Sequence, residues 1–377
     1  MDPHSWNMQA PPVISGGEKE YFGVGQRSQS PPPRRGKFRI LLILAVGLGL
    51  VWIVLLLKVV GSVLVPRSIR PGVGEIRLRE YVIEPGPVAN RIAVIRVEGI
   101  ITRSYGSGVL DMVDLIKAQL DAAGKDASIR AVILSINSPG GEALAADMIS
   151  SFIKNFQERT GKPVIAQMGS IAASGGYYIA APCRWIVAHK MTLTGSIGVI
   201  FGTVNYRGLM DKLGLRPMIY KRGQFKDMLS GMREPDSIKP EEEQMVISWL
   251  DEVYEQFKSV VRQGRNSAFK SSGGRALSEN WEEFADGRIL SGQQAYELGF
   301  VDELGDFQVA VARAKKFIGV TEAEVFEYRP RFGLLAMIGL ESLSQRRSIT
   351  LDLGIKLPKL EPGKVYFLPP PLFGSAN

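Results

Sequence analysis

The chain has 377 residues, 22 % charged and 45 % apolar, with 46 Lys+Arg against 38 Asp+Glu for a formal charge of +8, yet it holds only two histidines and one cysteine. His4, His189 and Cys183 cannot build a zinc site of four cysteines, of two cysteines and two histidines, or of three histidines, and a single thiol cannot close a disulfide within the chain. The basic excess is mild for this length, six Lys/Arg against three Asp/Glu already fall in residues 1–39, and no basic stretch interleaved with aromatics accompanies it, so no nucleic-acid partner is expected.

Residues 1–36 are rich in Pro, Gly, Ser and Gln, include the run Pro31-Pro32-Pro33, and read as a disordered tail. Ile40 to Leu57 then run for eighteen residues without a charge, and apolar character resumes beyond Lys58 as far as Val65. At about 1.5 Å per residue the uninterrupted part spans roughly 27 Å, close to the hydrocarbon thickness of a bilayer. No small-x-small cleavage site follows, so residues 37–65 are expected to form an uncleaved anchor in the lipid bilayer. Arg27, Arg34, Arg35, Lys37 and Arg39 stand before the span, against Lys58, Arg67 and Arg70 behind it. The positive-inside rule therefore keeps the N-terminus cytoplasmic and places everything from about residue 66 on the outer face of the cell membrane, in a single-pass arrangement with residues 66–90 as a linker.

From Arg91 the pattern is that of an α/β domain extending to residue 329. Ile92-Ala93-Val94-Ile95-Arg96-Val97 predicts a strand, and Leu110, Val113, Ile116 and Leu120 recur behind it at helical spacing. Ala131-Val132-Ile133-Leu134-Ser135-Ile136 is the short, nearly continuous apolar run of a buried parallel strand. It feeds the loop Asn137-Ser138-Pro139-Gly140-Gly141, after which Leu144, Met148, Phe152 and Phe156 mark one helix face. Pro163 to Met168 predicts the next strand and Ala173 to Ala181 a short helix, so strand and helix alternate as in a parallel sheet with helical crossovers. Pro240 opens a long helix predicted to run to about Gly264, with Glu241, Glu242 and Glu243 complementing its N-terminal dipole. Further helices are predicted from near Ser291 and over Phe307 to Phe317. Beyond Arg329 the rhythm is lost; Leu334 to Leu343 could be a short apolar helix, the end is Pro-rich, and the C-terminal tail 330–377 has no assigned role.

Two glycine-bearing loops follow successive strands. At Gly140-Gly141 a strand end meets a helix start, where unpaired backbone N–H groups can stabilise an oxyanion. In Gly169-Ser170-Ile171-Ala172-Ala173-Ser174-Gly175-Gly176-Tyr177-Tyr178 a serine opens a helix among small residues that let a substrate backbone approach. Alone, the first loop is an ordinary turn and Ser174 a helix N-cap; together at consecutive strand ends they point to chemistry. Phosphate binding lacks its Gly-Lys-Ser/Thr signature. A serine nucleophile needs a base. His189, at the end of the strand-like Trp185-Ile186-Val187-Ala188, reads as a strand-end residue. Lys226, in Gly223-Gln224-Phe225-Lys226-Asp227-Met228-Leu229, has apolar neighbours expected to desolvate its ammonium and favour the neutral form a general base requires.

These loops, with Thr194-Gly195-Ser196-Ile197-Gly198-Val199 and Gly287-Arg288-Ile289-Leu290-Ser291-Gly292-Gln293-Gln294-Ala295, resemble the signal peptide peptidase A family of membrane-bound serine peptidases, in its short form with one catalytic domain, over roughly residues 91–318. The resemblance implies a Clp protease/crotonase-like fold of repeated βαβ units preceded by one transmembrane helix. It implies Ser174 as nucleophile and Lys226 as general base, an oxyanion hole from the amides of Gly140 or Gly141 and of Gly175, and Ser196 as an accessory hydroxyl orienting the lysine. Phe225 stands where the family often has tyrosine. It further implies a homo-oligomeric ring whose dyad is completed between subunits, substrates that are signal peptides or other hydrophobic peptides, and no cofactor or metal. Two rival readings remain at this point: a crotonase-type acyl-coenzyme A enzyme, and a membrane-tethered oligomeric scaffold whose loops are only turns.

Overall fold

A computed structural model describes residues 78–103 and 111–330, the pair 366–367, and the single positions 52 and 76. The expected tail 1–36, the apolar span 40–57 apart from Trp52, and the helix expected at 334–343 lie outside the described residues; among those described, no helix is long and apolar enough to cross a membrane.

Strands β1 (Leu78–Glu84), β2 (Arg91–Glu98), β3 (Ile129–Ser138), β5 (Val164–Ala173), β6 (Trp185–Ala188), β9 (Glu303–Leu304) and β10 (Glu324–Pro330) form one sheet in the order β1-β10-β2-β3-β5-β6-β9. All neighbours along that path are parallel except the antiparallel pair β1–β10. Two short strands sit off the path: β7 (Leu193–Gly195) is parallel to β5, and β8 (Ile289–Ser291) is antiparallel to β7. The result is a mixed α/β sheet.

The near-continuous apolar runs have a simple cause, since side chains alternate across a strand and both faces of this sheet are covered. Ala93, Ile95, Val97, Val132, Leu134 and Ile136 point to one face, where they meet α1 (Met112–Lys125), α2 (Ala143–Thr160), α3 (Gly175–Ala180) and α5 (Pro240–Ser272). The intervening Ile92, Val94, Ala131, Ile133 and Ile165 point to the other, against Ala310, Val311, Ala314 and Ile318 of α7 (Phe307–Ile318). Two smaller helices, α4 (Arg207–Lys212) and α6 (Gly292–Glu297), complete the helical set, the latter capped by Ser291.

Four local expectations change. The stretch 66–90 contains β1, and β10 stands where the pattern was fading; the two pair with each other from Leu78↔Pro330 to Glu84↔Val325. On α2 the buried stripe is Ala145, Ala146, Ile149, Ile153 and Phe156, while Leu144 is exposed, so the apolar i, i+4 series marked the neighbouring edge of the stripe. Helix α5 continues past Gly264 to Ser272 and ends at Gly273, whose φ of +66° is the left-handed stop. Gly264 is there for close packing instead: a Cβ on it would lie 2.2 Å from the Ala181 carbonyl oxygen. The short helix predicted from Ala173 begins at Gly175, because Ala173 still belongs to β5.

Candidate active site

The parallel strands β3 and β5 deliver the two glycine loops to the same end of the sheet. Ser174 lies between the end of β5 and the start of α3, with φ 54° and ψ −117°, one of three non-glycine residues at positive φ among those described. Two backbone bonds hold this conformation: the Ser174 N–H donates to the Gly195 carbonyl at 2.8 Å, and the Ser174 carbonyl accepts from the Tyr178 N–H at 2.8 Å. A sharp, strained strand-to-helix turn of this kind presents a hydroxyl for attack. Ser174 makes no side-chain capping bond, is 1 % exposed, and its buried Oγ has no hydrogen-bond partner among the described residues. A buried, unpaired hydroxyl costs free energy and is not what an N-cap would show.

The first loop folds directly against this turn. The Gly140 N–H donates to Ser138 Oγ at 3.1 Å and its carbonyl accepts from Ile101 N–H at 2.8 Å, while Gly141 pairs with Phe367 in a short antiparallel ladder. A Cβ on Gly175 would lie 3.1 Å from the Gly141 nitrogen and 3.2 Å from Gly140 Cα, so only a glycine lets α3 start this close to the loop. The Gly141 and Gly175 backbones are thereby brought together beside Ser174, the first just before α2 and the second at the first residue of α3.

Ser196 comes to the same place because Gly195, the partner of the Ser174 N–H, precedes it at the end of β7. It is buried, has φ 51°, and its N–H donates to the Arg288 carbonyl at 2.7 Å. Beyond it opens a cavity of about 520 Å³ walled by Val199, Ile200, Leu250, Asp251 and Tyr254. The strand β11 (Tyr366–Phe367) pairs antiparallel with Gly141–Glu142 of β4, and Tyr366 exchanges two backbone bonds of 3.2 Å with Ile200. An extended stretch of chain is therefore seated between the glycine loop and the segment that follows Ser196.

Lys226 is brought to none of these. It lies in turns after the left-handed Gly223, its N–H donating to the Gly223 carbonyl at 3.3 Å, and its side chain is exposed with no hydrogen bond or ion pair among the described residues. The neighbouring Asp227 is taken by Lys221 and by Arg233, the latter 3.7 Å away. Phe225 and Met228 are half-buried and Leu229 is exposed, so within one chain they do not desolvate Lys226 as expected. His189 is exposed at the end of β6, the strand-end position read from the sequence, and its Nδ1 accepts the Met191 N–H at 3.2 Å. Burial pushes the Cys183 thiol up to about 12, which leaves it neutral and unreactive. Among the described residues no group of three or more His, Cys, Asp or Glu could hold a metal ion.

Sequence reasoning missed the support beneath α3. Arg265 of α5, fully buried, reaches the carbonyls of Ala181 at 3.4 Å and Cys183 at 3.3 Å, just past the C-terminal end of α3, and pairs with the equally buried Asp302. Asp302 in turn accepts from the N–H groups of Ile186 at 2.8 Å and Arg275 at 3.0 Å. Neither residue announces its burial in the sequence. The placement of β11 beside Gly141 was equally unforeseen, since contact across more than two hundred residues leaves no local signal.

Comparison with known proteins gives a consistent result. The family model described as Peptidase family S49 matches residues 156–321, a stretch that carries Ser174, Ser196 and Lys226. A protein of Enterococcus faecium assigned as signal peptide peptidase SppA is 33 % identical over 260 residues, covering 68 % of this chain and 72 % of that one. A protein of Synechocystis sp. assigned as a protease is 37 % identical over 235 residues, covering 62 % and 77 % respectively. The chloroplastic serine protease SPPA of Arabidopsis thaliana is 33 % identical over 231 residues, covering 60 % of this chain and 32 % of that longer one.

Proposed function

The chain belongs to peptidase family S49 and is a serine peptidase, and from that premise we propose that it is a membrane-anchored endopeptidase working through a Ser174–Lys226 dyad on signal peptides released after preprotein processing. Family membership displaces the acyl-coenzyme A and scaffold readings. The observation that carries the proposal is Ser174 itself: a strained, buried hydroxyl without a partner, at a helix start, with the Gly141 and Gly175 amides beside it.

In the proposed reaction the neutral amine of Lys226 takes the Ser174 proton as Oγ attacks a peptide carbonyl. The amides of Gly141 and Gly175 hold the oxyanion, Gly140 shaping the loop through its bond to Ser138. The ammonium of Lys226 returns its proton to the leaving amine, and water then hydrolyses the ester with the lysine again as base. Ser196, next to the residue that holds the Ser174 backbone, supplies a hydroxyl to orient the lysine.

The dyad is proposed to form between neighbouring copies in a homo-oligomeric ring. Ser174 Oγ and the Lys226 side chain each stand without a partner among the described residues. Exposed apolar side chains crowd the segment around Lys226, including Leu209, Leu213, Met218, Tyr220, Ile247 and Trp249. Apolar surface of that extent marks an interface, and burying it would supply the desolvation that Lys226 lacks. The alternation of parallel strands and helices supports the Clp protease/crotonase-like assignment, and the apolar run from Ile40 to Leu57 supports the anchor and the outward-facing catalytic domain. The short strand accepted between Gly141 and Ile200 supports an extended peptide as substrate.

The test is hydrolysis of a fluorogenic apolar peptide by the full chain in detergent, beside Ser174→Ala and Lys226→Ala. Both variants should be inactive alone. Mixed under conditions that let subunits exchange, they should regain activity, because a copy with Ser174 then meets a copy with Lys226. Full turnover in either variant alone would reject the dyad, and a mixture that stays inactive would reject its completion between copies. A synthetic signal peptide should be cleaved faster than a folded soluble protein of equal concentration.

A further inference from the structure

The two amides beside Ser174 sit at the starts of different helices, and a serine peptidase needs their separation fixed within about half an ångström. The close approach of Gly175 to Gly140–Gly141 sets one point of contact between α3 and the loop that enters α2. The two helices also pack against each other, and such packing, being non-directional, fixes their angle less sharply than a hydrogen bond does. The second point lies one turn deeper: Tyr178 of α3 donates its hydroxyl to Asp147 Oδ1 of α2 at 2.6 Å. Tyr178 is itself fully buried, its ring 4.8 Å from that of Phe257 on α5, and the Gln256 side chain bonds the same hydroxyl.

Resting on the reading of Gly141 and Gly175 as oxyanion donors, we propose that Asp147 and Tyr178 are positioning residues that set the angle between α2 and α3 and thereby the spacing of those two amides. Tyr178 is four residues beyond Ser174 on α3, and Asp147 six residues beyond Gly141, so their bond closes a short brace across the two helix starts. Burial, reinforced by the Asp147 carboxylate, holds the Tyr178 phenol far above its ordinary range, so it remains a donor at every working pH. A bond from a phenol to a carboxylate is of the short, charge-assisted kind, stiffer than a neutral pair. Only the N-cap Glu142 separates Gly141 from α2, and Ser174 is itself the N-cap of α3, so a displacement at the brace reaches both amides over a short path.

The experiment compares full-length wild type with Tyr178→Phe, Asp147→Ala, Asp147→Asn and the double variant Tyr178→Phe/Asp147→Ala, counting competent sites by covalent labelling of Ser174 with a fluorophosphonate. Complete loss of an oxyanion donor costs about 100- to 1000-fold in kcat; misalignment should cost less, about 10- to 100-fold per labelled site, with KM changed less than twofold. Affinity for a peptide aldehyde, which forms a tetrahedral adduct, should fall in parallel with kcat. The double variant should be no worse than either single one, and Asp147→Asn, which keeps an acceptor, should recover at least part of the loss. Lower thermal stability with unchanged kcat per site, or additive losses in the double variant, would overturn the positioning role. Turnover by Ser174→Ala would instead overturn the assignment of the nucleophile, a separate failure.

Discussion

Replacing Ser174 with glycine should abolish hydrolysis and at the same time make the folded chain more stable. Two costs disappear in that variant. A non-glycine residue held at φ 54°, ψ −117° carries strain of about 1–3 kcal/mol. The buried Oγ without a partner adds a desolvation penalty of about 1–3 kcal/mol. Against these, glycine gives the unfolded chain extra freedom, a loss of about 0.5–1 kcal/mol. The net gain is about 3 kcal/mol, and for a domain of this size each kcal/mol moves Tm by about 2–4 °C, so the midpoint should rise by about 6–12 °C. Ser174→Ala removes only the unpaired hydroxyl and should rise by less. Scanning calorimetry of the three proteins at one protomer concentration, which holds any assembly term fixed, reads the effect directly. A glycine variant that melts at or below the wild-type temperature would refute the claim that Ser174 is strained for function.

Asp302→Asn leaves the fully buried Arg265 guanidinium without its counter-charge, and stranding a buried charge costs about 3–5 kcal/mol; the urea midpoint should fall sharply with the slope unchanged. Stability should also decline in acid. Burial pushes the Glu327 carboxyl up, but Arg329 and Arg96 outweigh it and hold the group below its ordinary range, as hydrogen bonds from Ser128 do for Asp126. Because the folded-state values are depressed, the stabilisation is present above the unfolded value of about 4 and is lost as pH falls through and below it. Urea midpoints taken from pH 7 to pH 3 should drop less in an Arg96→Gln/Arg329→Gln variant than in wild type, and an equal drop would reject these contacts as contributors.

The strands β2, β3 and β5 were legible because a sheet covered on both faces demands unbroken apolar runs, and the two glycine loops because the backbone must come close there. The edge strand β1 was not: nearly all its side chains face solvent, so no apolar period marks it, and its place comes from register with β10, far away in sequence. Spacing alone identified a helix at α2 but not its buried stripe, since the residues that pack are mainly the small Ala145 and Ala146, which give no hydrophobic contrast with Leu144. The proposed nucleophile, Ser174, could be singled out from its small neighbours and its position after a strand. The surroundings of Lys226 could not, because whatever lies against an exposed side chain is absent from the residues beside it in the chain.

The register of β1 on β10 places Leu78 directly opposite Pro330, so the entry and exit of the catalytic domain lie at one corner of the sheet, a single strand spacing apart. A domain with its ends so close is modular: it can be spliced into a surface loop of another protein through two adjacent attachment points. It can equally be circularly permuted, with a short bridge from residue 330 to residue 78 and new ends opened at the exposed Gly214, which keeps every strand neighbour of the nine-stranded sheet and gives up only the pairing of β11 with β4.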